Sequence, residues 1–288
     1  MRIYNSMKLA IVTDSTAFIP TAISNHPDIY ILPIPVILDG KIYNEGIDIH
    51  ADEYYDLLKA SKEFPTTSQP ALGEVVSLYE KLAKEGYTDI ISIHLSGGIS
   101  GFVNTLFALQ GTIEGINIHP FDSKITSMPM GNMVQKALEM KDAGKSIEEI
   151  LDYLDYIRSN TRAFLIVDDL NNLVRGGRLT NGAAIIGGLL KIKPILTFED
   201  GKIVLHEKIR SSKKAFAKAE ELVFESAQQC PGKVKYYVIH ANNLEVAKEE
   251  KAKLEAQFPD IQVEIGYFGP VIGTHLGEKA IGLAFSAE

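Results

Sequence analysis

Cysteine is nearly absent from this chain of 288 residues. Cys230 stands alone, so no internal disulfide can form, and a reducing compartment suits the protein. Long apolar runs are missing too. The stretch from Ile185 to Leu190 is interrupted by Gly187 and Gly188 and is far too short to span a bilayer. No cationic segment leads into an apolar stretch with a small-residue cleavage site, so no secretion signal is expected and the cytoplasm is the default. An excess of positive charge is lacking: the net charge of -8 argues against a general nucleic-acid binder, which displaces counterions with basic surface. The seven histidines (26, 50, 94, 119, 206, 240 and 275) are scattered, with no His-Glu-x-x-His pair and no cysteine cluster, so no metal site is expected. The Gly-bearing loop at 96–101 is not a P-loop, because no Gly-Lys-Ser/Thr follows it, and it lacks the spacing of the dinucleotide fingerprint.

What is present reads as an ordinary globular chain, 45% apolar and 23% charged, long enough for one large domain or two. The first six residues precede a second methionine, Met7, and read as an alternative start or an extension. From there strand and helix signals alternate. Lys8 to Thr13 is a buried strand, and Asp14-Ser15-Thr16 is a polar turn expected to cap a helix. Ile29 to Leu38 carries Pro33 and Pro35, which suits an edge or extended segment, and Asp39-Gly40 turns it back as a hairpin. Helices are expected at 53–60 and 72–84, strands at 89–95 and 117–121, and a capping box joins Ser146 to Glu149. Such alternation predicts an α/β first unit, 7–160, with a mainly parallel sheet covered by helices. A second α/β unit, 161–288, is expected to begin near Thr161 and pack closely on the first. It holds a strand from Arg162, a short helix stopped by Gly176-Gly177, and two strands flanking a turn at Glu199-Asp200-Gly201. Two helix and strand pairs follow, then a Gly-rich tail with His275.

Three segments and the tail can carry chemistry. Ser96-Gly97-Gly98-Ile99-Ser100-Gly101 lies between a buried strand and a helix, where amides and hydroxyls can meet an anion; a plain serine N-cap fits as well. Pro65-Thr66-Thr67-Ser68-Gln69-Pro70 is stiffened by its prolines and aims three hydroxyls and an amide, or is simply a decorated turn. Arg175-Gly176-Gly177-Arg178 lies in a stretch from Thr161 to Lys214 with ten basic and five acidic residues. Its guanidinium forks suit phosphate or carboxylate, or pair with Asp168 and Asp169. His275 sits among glycines and can donate to a carboxylate or phosphate oxygen. A hydrolase using Ser68, Ser96 or Ser100 with His94 or His275 is the alternative, although there is no Gly-x-Ser-x-Gly elbow and no acid singled out to orient a histidine.

In order and spacing, these segments resemble the DegV family, bacterial fatty-acid-binding proteins that serve as substrate-carrying subunits of fatty acid kinase. The resemblance runs from Met7 over nearly the whole chain. It includes Val12-Thr13-Asp14-Ser15-Thr16, Thr67-Ser68-Gln69-Pro70, Ile99-Ser100-Gly101, Phe121-Asp122-Ser123, Arg175-Gly176-Gly177-Arg178, Leu189-Leu190-Lys191-Ile192-Lys193-Pro194 and Gly273-Thr274-His275-Leu276-Gly277. The resemblance implies that Thr67 and Ser100 bind a fatty acid carboxylate with His275 nearby at the mouth, and that the acyl chain runs in a tunnel between the domains. Ser96 and Gly97 are secondary candidates. Many members have Ser-Ser where this chain has Ser96-Gly97, which leaves Ser100 as the better donor. Arg175, with Arg178 and Arg210, matches positions implicated in docking or supporting the kinase reaction. The resemblance also implies a chain that is no enzyme by itself: the partner kinase supplies ATP and metal, the product is an acyl-phosphate, and any membrane contact is transient.

Overall fold

Alternation of buried strands with amphipathic helices sets the first half of the fold, described here from a computed structural model covering residues 7–188 and 192–288. The elements run β1 (Leu9–Asp14), β2 (Ile29–Leu32), β3 (Pro35–Leu38), β4 (Lys41–Asn44), α1 (Ala51–Ala60), β5 (Thr66–Thr67) and α2 (Leu72–Lys84). Next come β6 (Asp89–His94), α3 (Phe102–Phe107), β7 (Asn117–Asp122), α4 (Ser127–Asp142) and α5 (Ile147–Ser159). Strands β2-β1-β6-β7 form a sheet in which every neighbouring pair is parallel. Both faces are covered, as the unbroken burial along β1 and β6 shows. Ala10, Val12 and Ile90 meet Tyr79 and Leu82 of α2 and Phe102 of α3 on one face. Leu9, Ile11 and Ile91 share the other with Met130, Met133 and Val134 of α4.

The proline-bearing run from Ile29 to Leu38 divides between two sheets. Its first half, β2, is an edge of the parallel sheet, where a following proline removes no ladder bond. Beyond Pro33 the chain turns into β3, which pairs antiparallel with β4 and β5 in a small separate sheet. That pairing sets Thr67 opposite Val36. The helix expected after Asp14-Ser15-Thr16 does not form. Asp14 instead accepts hydrogen bonds from Thr16 and from the Leu95 amide, so its capping capacity is used within the sheet's C-terminal edge.

The second half comprises β8 (Thr161–Ile166), α6 (Asn171–Arg175), α7 (Gly182–Ile186), β9 (Lys193–Glu199), β10 (Lys202–Ile209), α8 (Ser212–Ala227), β11 (Val234–His240), α9 (Leu244–Gln257), β12 (Val263–Tyr267), α10 (Pro270–Leu276) and β13 (Ile281–Ala287). Its six-stranded sheet has the order β10-β9-β8-β13-β11-β12 and is antiparallel except for β11 with β12. The expected Gly-rich tail thus contains a short helix and a fully buried strand that lies mid-sheet, between β8 and β11. Side chains alternate between two cores along each strand. Phe164 and Ile166 pack with α8 and α9, whereas Ala163 and Leu165 turn toward the core shared with the parallel sheet. Leu189, Leu190 and Lys191 of the Leu-Leu-Lys segment lie outside the described residues, as does the expected extension before Met7.

Candidate functional site

On this shared side of the six-stranded sheet lies a cavity of about 260 Å³. Leu165 of β8, Phe198 of β9 and Ile203 of β10 form one apolar wall, and Phe268, Val271 and Ile272 form another. Its polar groups are Thr67, Ser68, Gln69, Ser100, Thr126, Arg178 and His275. An apolar space with few convergent polar groups is the usual form of a small-molecule site.

Segments far apart in sequence deliver the polar groups. Strand β5 presents Thr67, whose Oγ1 lies 2.7 Å from His275 Nε2 on α10. Helix α10 is fixed from behind: Thr274 Oγ1 bonds Tyr54 Oη at 2.6 Å, and Tyr55 Oη donates to the Phe268 carbonyl at 3.0 Å. Ser100 Oγ accepts the Phe102 amide at 3.3 Å, which ties the loop to the start of α3 and leaves the hydroxyl proton available. This serine therefore shapes the turn before α3, whose N-cap is Gly101, and lines the cavity.

Burial, and secondarily the positive Arg178, push the His275 pKa down to about 4, so the ring is neutral at physiological pH. Its Nδ1 is buried without a partner. In the tautomer protonated at Nε2, the ring donates to Thr67 Oγ1 and frees the threonine proton for a ligand. Gly176 explains how the ring reaches this place. A Cβ at Gly176 would lie 2.5 Å from His275 Nδ1, and the next residue, Gly177, adopts φ +69°, a conformation that favours glycine. The Arg-Gly-Gly-Arg segment is thus a seat for the histidine as well as a carrier of charge.

The two arginines of that segment part company. Arg178 lines the cavity, with Nε donating to the Ile99 carbonyl at 3.1 Å and Nη1 to Gly176. Arg175 is exposed outside the wall and stacks its guanidinium 4.0 Å from the Phe64 ring centroid. Arg210 is also exposed outside the wall, just beyond β10. Ser96 and Gly97 are not brought to the cavity. Ser96 Oγ donates to the Gly201 carbonyl at 2.6 Å and accepts the Gly98 amide at 3.1 Å, so it locks this loop to the β9–β10 hairpin. Gly97 donates its amide to Asp122 at 3.1 Å. Arg178, expected with the kinase-docking positions, thus adds a positive charge to the polar lining of the cavity.

A buried polar chain runs from the cavity into the parallel sheet. Thr126 Oγ1 donates to Thr16 Oγ1 at 2.9 Å, and Thr16 donates to Asp14 Oδ1 at 2.6 Å. Asp14 Oδ2 lies 3.0 Å from His94 Nδ1, His94 Nε2 lies 2.6 Å from Ser92 Oγ, and Ser92 meets Tyr79 Oη at 2.7 Å. Asp, His and Ser thus stand in the order of a hydrolase triad, yet all three are fully buried and none lines the cavity. His275 touches Thr67 rather than Ser68 or Ser100, and no carboxylate bonds its Nδ1. The hydrolase alternative finds no support in this geometry. The sequence offered no spacing signal for the Asp14–His94 pair, since the partners are brought together only by the parallel pairing of β1 and β6.

Among the described residues no helix is long and apolar enough to cross a membrane. The DegV family model matches residues 8–288. A DegV domain-containing protein of Listeria monocytogenes is 45% identical over 281 residues, covering 98% of this chain and 99% of that one. The crystal structure of a fatty acid binding DegV family protein from Streptococcus agalactiae matches with TM-score 0.93 at 43% identity, covering 98% of this chain and all of the other. That of DegV, a fatty acid binding protein from Bacillus subtilis, matches with TM-score 0.89 at 42% identity and the same coverage. A family model spanning residues 8–288, 45% identity over 98% of the chain and a full-length match of fold lead to one assignment: the chain belongs to the DegV family.

Proposed function

We propose that this protein binds a long-chain fatty acid in the cavity and presents its carboxylate to an ATP-dependent kinase for conversion to an acyl-phosphate. The observation that carries the reading is the division of one cavity into an apolar body and a polar cluster of Thr67, Ser100, Arg178 and His275. Crystal structures of relatives at 42–43% identity, described as fatty acid binding, support it. The unit 7–160 supplies the two hydroxyl loops, and the unit 161–288 supplies Arg178, His275 and the sheet wall. Each buried methylene contributes roughly 0.8 kcal/mol before ordering costs, so the acyl chain provides most of the affinity and the polar cluster sets its direction. Charge-assisted hydrogen bonds stabilise the carboxylate. The kinase partner brings ATP and metal, in the cytoplasm, and docks over Arg175, with Arg210 as a further basic contact.

Mass spectrometry of the purified, denatured protein tests the binding step. Co-purified fatty acid is expected. Its absence, together with no uptake of added fatty acid, overturns the proposal. Acyl-phosphate formation on mixing the loaded protein with the kinase and ATP tests presentation.

A further inference from the structure

Phe198 borders both the cavity and a second space beside it. Ala163 and Leu165 project from the same face of β8, roughly 7 Å apart at ~3.3 Å of rise per residue. Leu165 lines the main cavity, while Ala163 lines a second one of about 120 Å³. The same division occurs in the adjoining loop, where Thr126 faces the first space and Ile125 the second. Phe198 of β9 lines both. It stands opposite Ile203 across the β9–β10 hairpin, two residues along from Leu196, which faces the same core.

The second space differs in chemistry. Lys124, Arg158, Arg162 and Asp200 border it. The charged heads are already engaged: Arg158 donates to the Asp122 carbonyl at 2.9 Å, Arg162 to the Thr161 carbonyl at 2.7 Å, and Lys124 pairs with Asp200. Arg158 also lies over the Phe121 ring at 4.7 Å. What these arginines leave to the cavity is in part their aliphatic stems, against which a hydrocarbon can pack. Phe198 therefore separates an apolar space from a polar one that could take several further methylenes if the ring were absent.

We propose that Phe198 is the stop that sets the longest acyl chain this protein accepts, by closing the apolar cavity against the arginine-lined space behind it. The inference rests on the fatty-acid reading above. In the native protein a chain gains affinity with each methylene until its end meets the ring, and further carbons must buckle. With the ring removed, the chain continues past Ala163, and each added carbon again binds tighter, by at most about fourfold, the fold-change that ~0.8 kcal/mol per methylene gives for wholly apolar surroundings.

The test measures affinity for a homologous series of saturated fatty acids, one carbon at a time, in the native protein, Phe198→Ala and Phe198→Trp. Affinity in Phe198→Ala is expected to keep rising beyond the native plateau, and the plateau of Phe198→Trp is expected at shorter chains. Identical plateaus in all three proteins overturn the assignment while leaving fatty-acid binding intact. Failure of the native protein to bind any member of the series overturns the functional reading itself. The native chain contains no tryptophan, so Phe198→Trp also places a sole indole at the proposed tail end. A fatty acid brominated at its terminal carbon should quench that indole strongly, and one brominated beside the carboxylate should not. The reverse order sinks the proposal, and this readout needs no alanine variant to fold.

Discussion

Thr67 Oγ1 lies 2.7 Å from His275 Nε2, a bond between the two-residue strand β5 and the short helix α10, 208 residues apart in sequence. It closes the polar end of the cavity and directs the threonine hydroxyl. Because the histidine is neutral, the positive charge beside this bond comes from Arg178.

Removing either hydroxyl should weaken retention without unfolding the chain. Thr67→Ala and Ser100→Ala should each cost roughly 1.5–3 kcal/mol, a loss of fatty-acid affinity on the order of ten- to hundredfold. Isothermal titration measures this, and circular dichroism reports the fold. Native affinity in both variants would refute the assigned carboxylate site.

Gly176→Ala probes the histidine seat. Gly176 has φ -71°, which alanine adopts freely, so the new methyl acts mainly through its clash with His275 Nδ1 at 2.5 Å, with the Asn172 carbonyl also close at 3.1 Å. Displacement of the ring breaks the Thr67 bond, and fatty-acid affinity should fall about as far as in Thr67→Ala. The NMR signals of the His275 ring should shift in the same variant. An unmoved ring with unchanged affinity would show that the close approach has no functional weight.

Arg175 and Arg178 should separate by assay. Arg178→Ala removes a charge from the cavity wall and should lower fatty-acid affinity at least about tenfold. Arg175→Ala touches only the exposed stack on Phe64, so lipid binding should stay normal while turnover with the kinase drops. Equal loss of lipid binding in both variants would place Arg175 in the pocket.

Glu45 predicts a pH dependence of stability. Buried beside the start of α10, it accepts the Val271 amide at 2.7 Å through Oε2, while Oε1 has no partner. Desolvation raises its pKa from 4.5 to about 8, with Asp14 adding in the same direction. The folded-state value lies above the unfolded one, so the contribution is fully present below about pH 4.5 and is lost as pH rises toward 8. The loss amounts to a few kcal/mol, at ~1.4 kcal/mol per pKa unit. Glu45→Gln keeps an acceptor for Val271 and removes the titration, so its stability should fall less steeply over this range. Denaturant unfolding at a series of pH values measures it, and parallel curves for the two proteins would contradict the assignment.

Local pattern and tertiary context left different marks on the sequence. The capping box of Ser146 and Glu149 forms as expected, and the helix expected at 72–84 forms as α2, burying Val75, Tyr79 and Leu82. Helix α4 escaped notice because its first eight residues are all buried, which erases the amphipathic signal, and because it carries Pro129 and Gly131. Pro129 is tolerated because it lies in the first turn, where amides have no intrahelical partner. Strand β13 escaped as well. Its seven buried residues between two antiparallel neighbours show no alternation to distinguish them from a tail.

Sequence by itself determined the order of strands and helices in most of the chain, the hydroxyl-rich loops and the basic segment, because each depends on residues a few positions apart. Order and spacing of those segments were enough to indicate the family. Only the tertiary structure decided that Thr67 and His275 touch, that Arg178 faces the cavity while Arg175 faces out, and that Ser96 is spent on Gly201. It likewise decided that Phe198 borders two cavities. The reason is physical. A cavity is bounded by side chains from several elements, and their convergence depends on strand pairing and helix packing across distances no local period encodes.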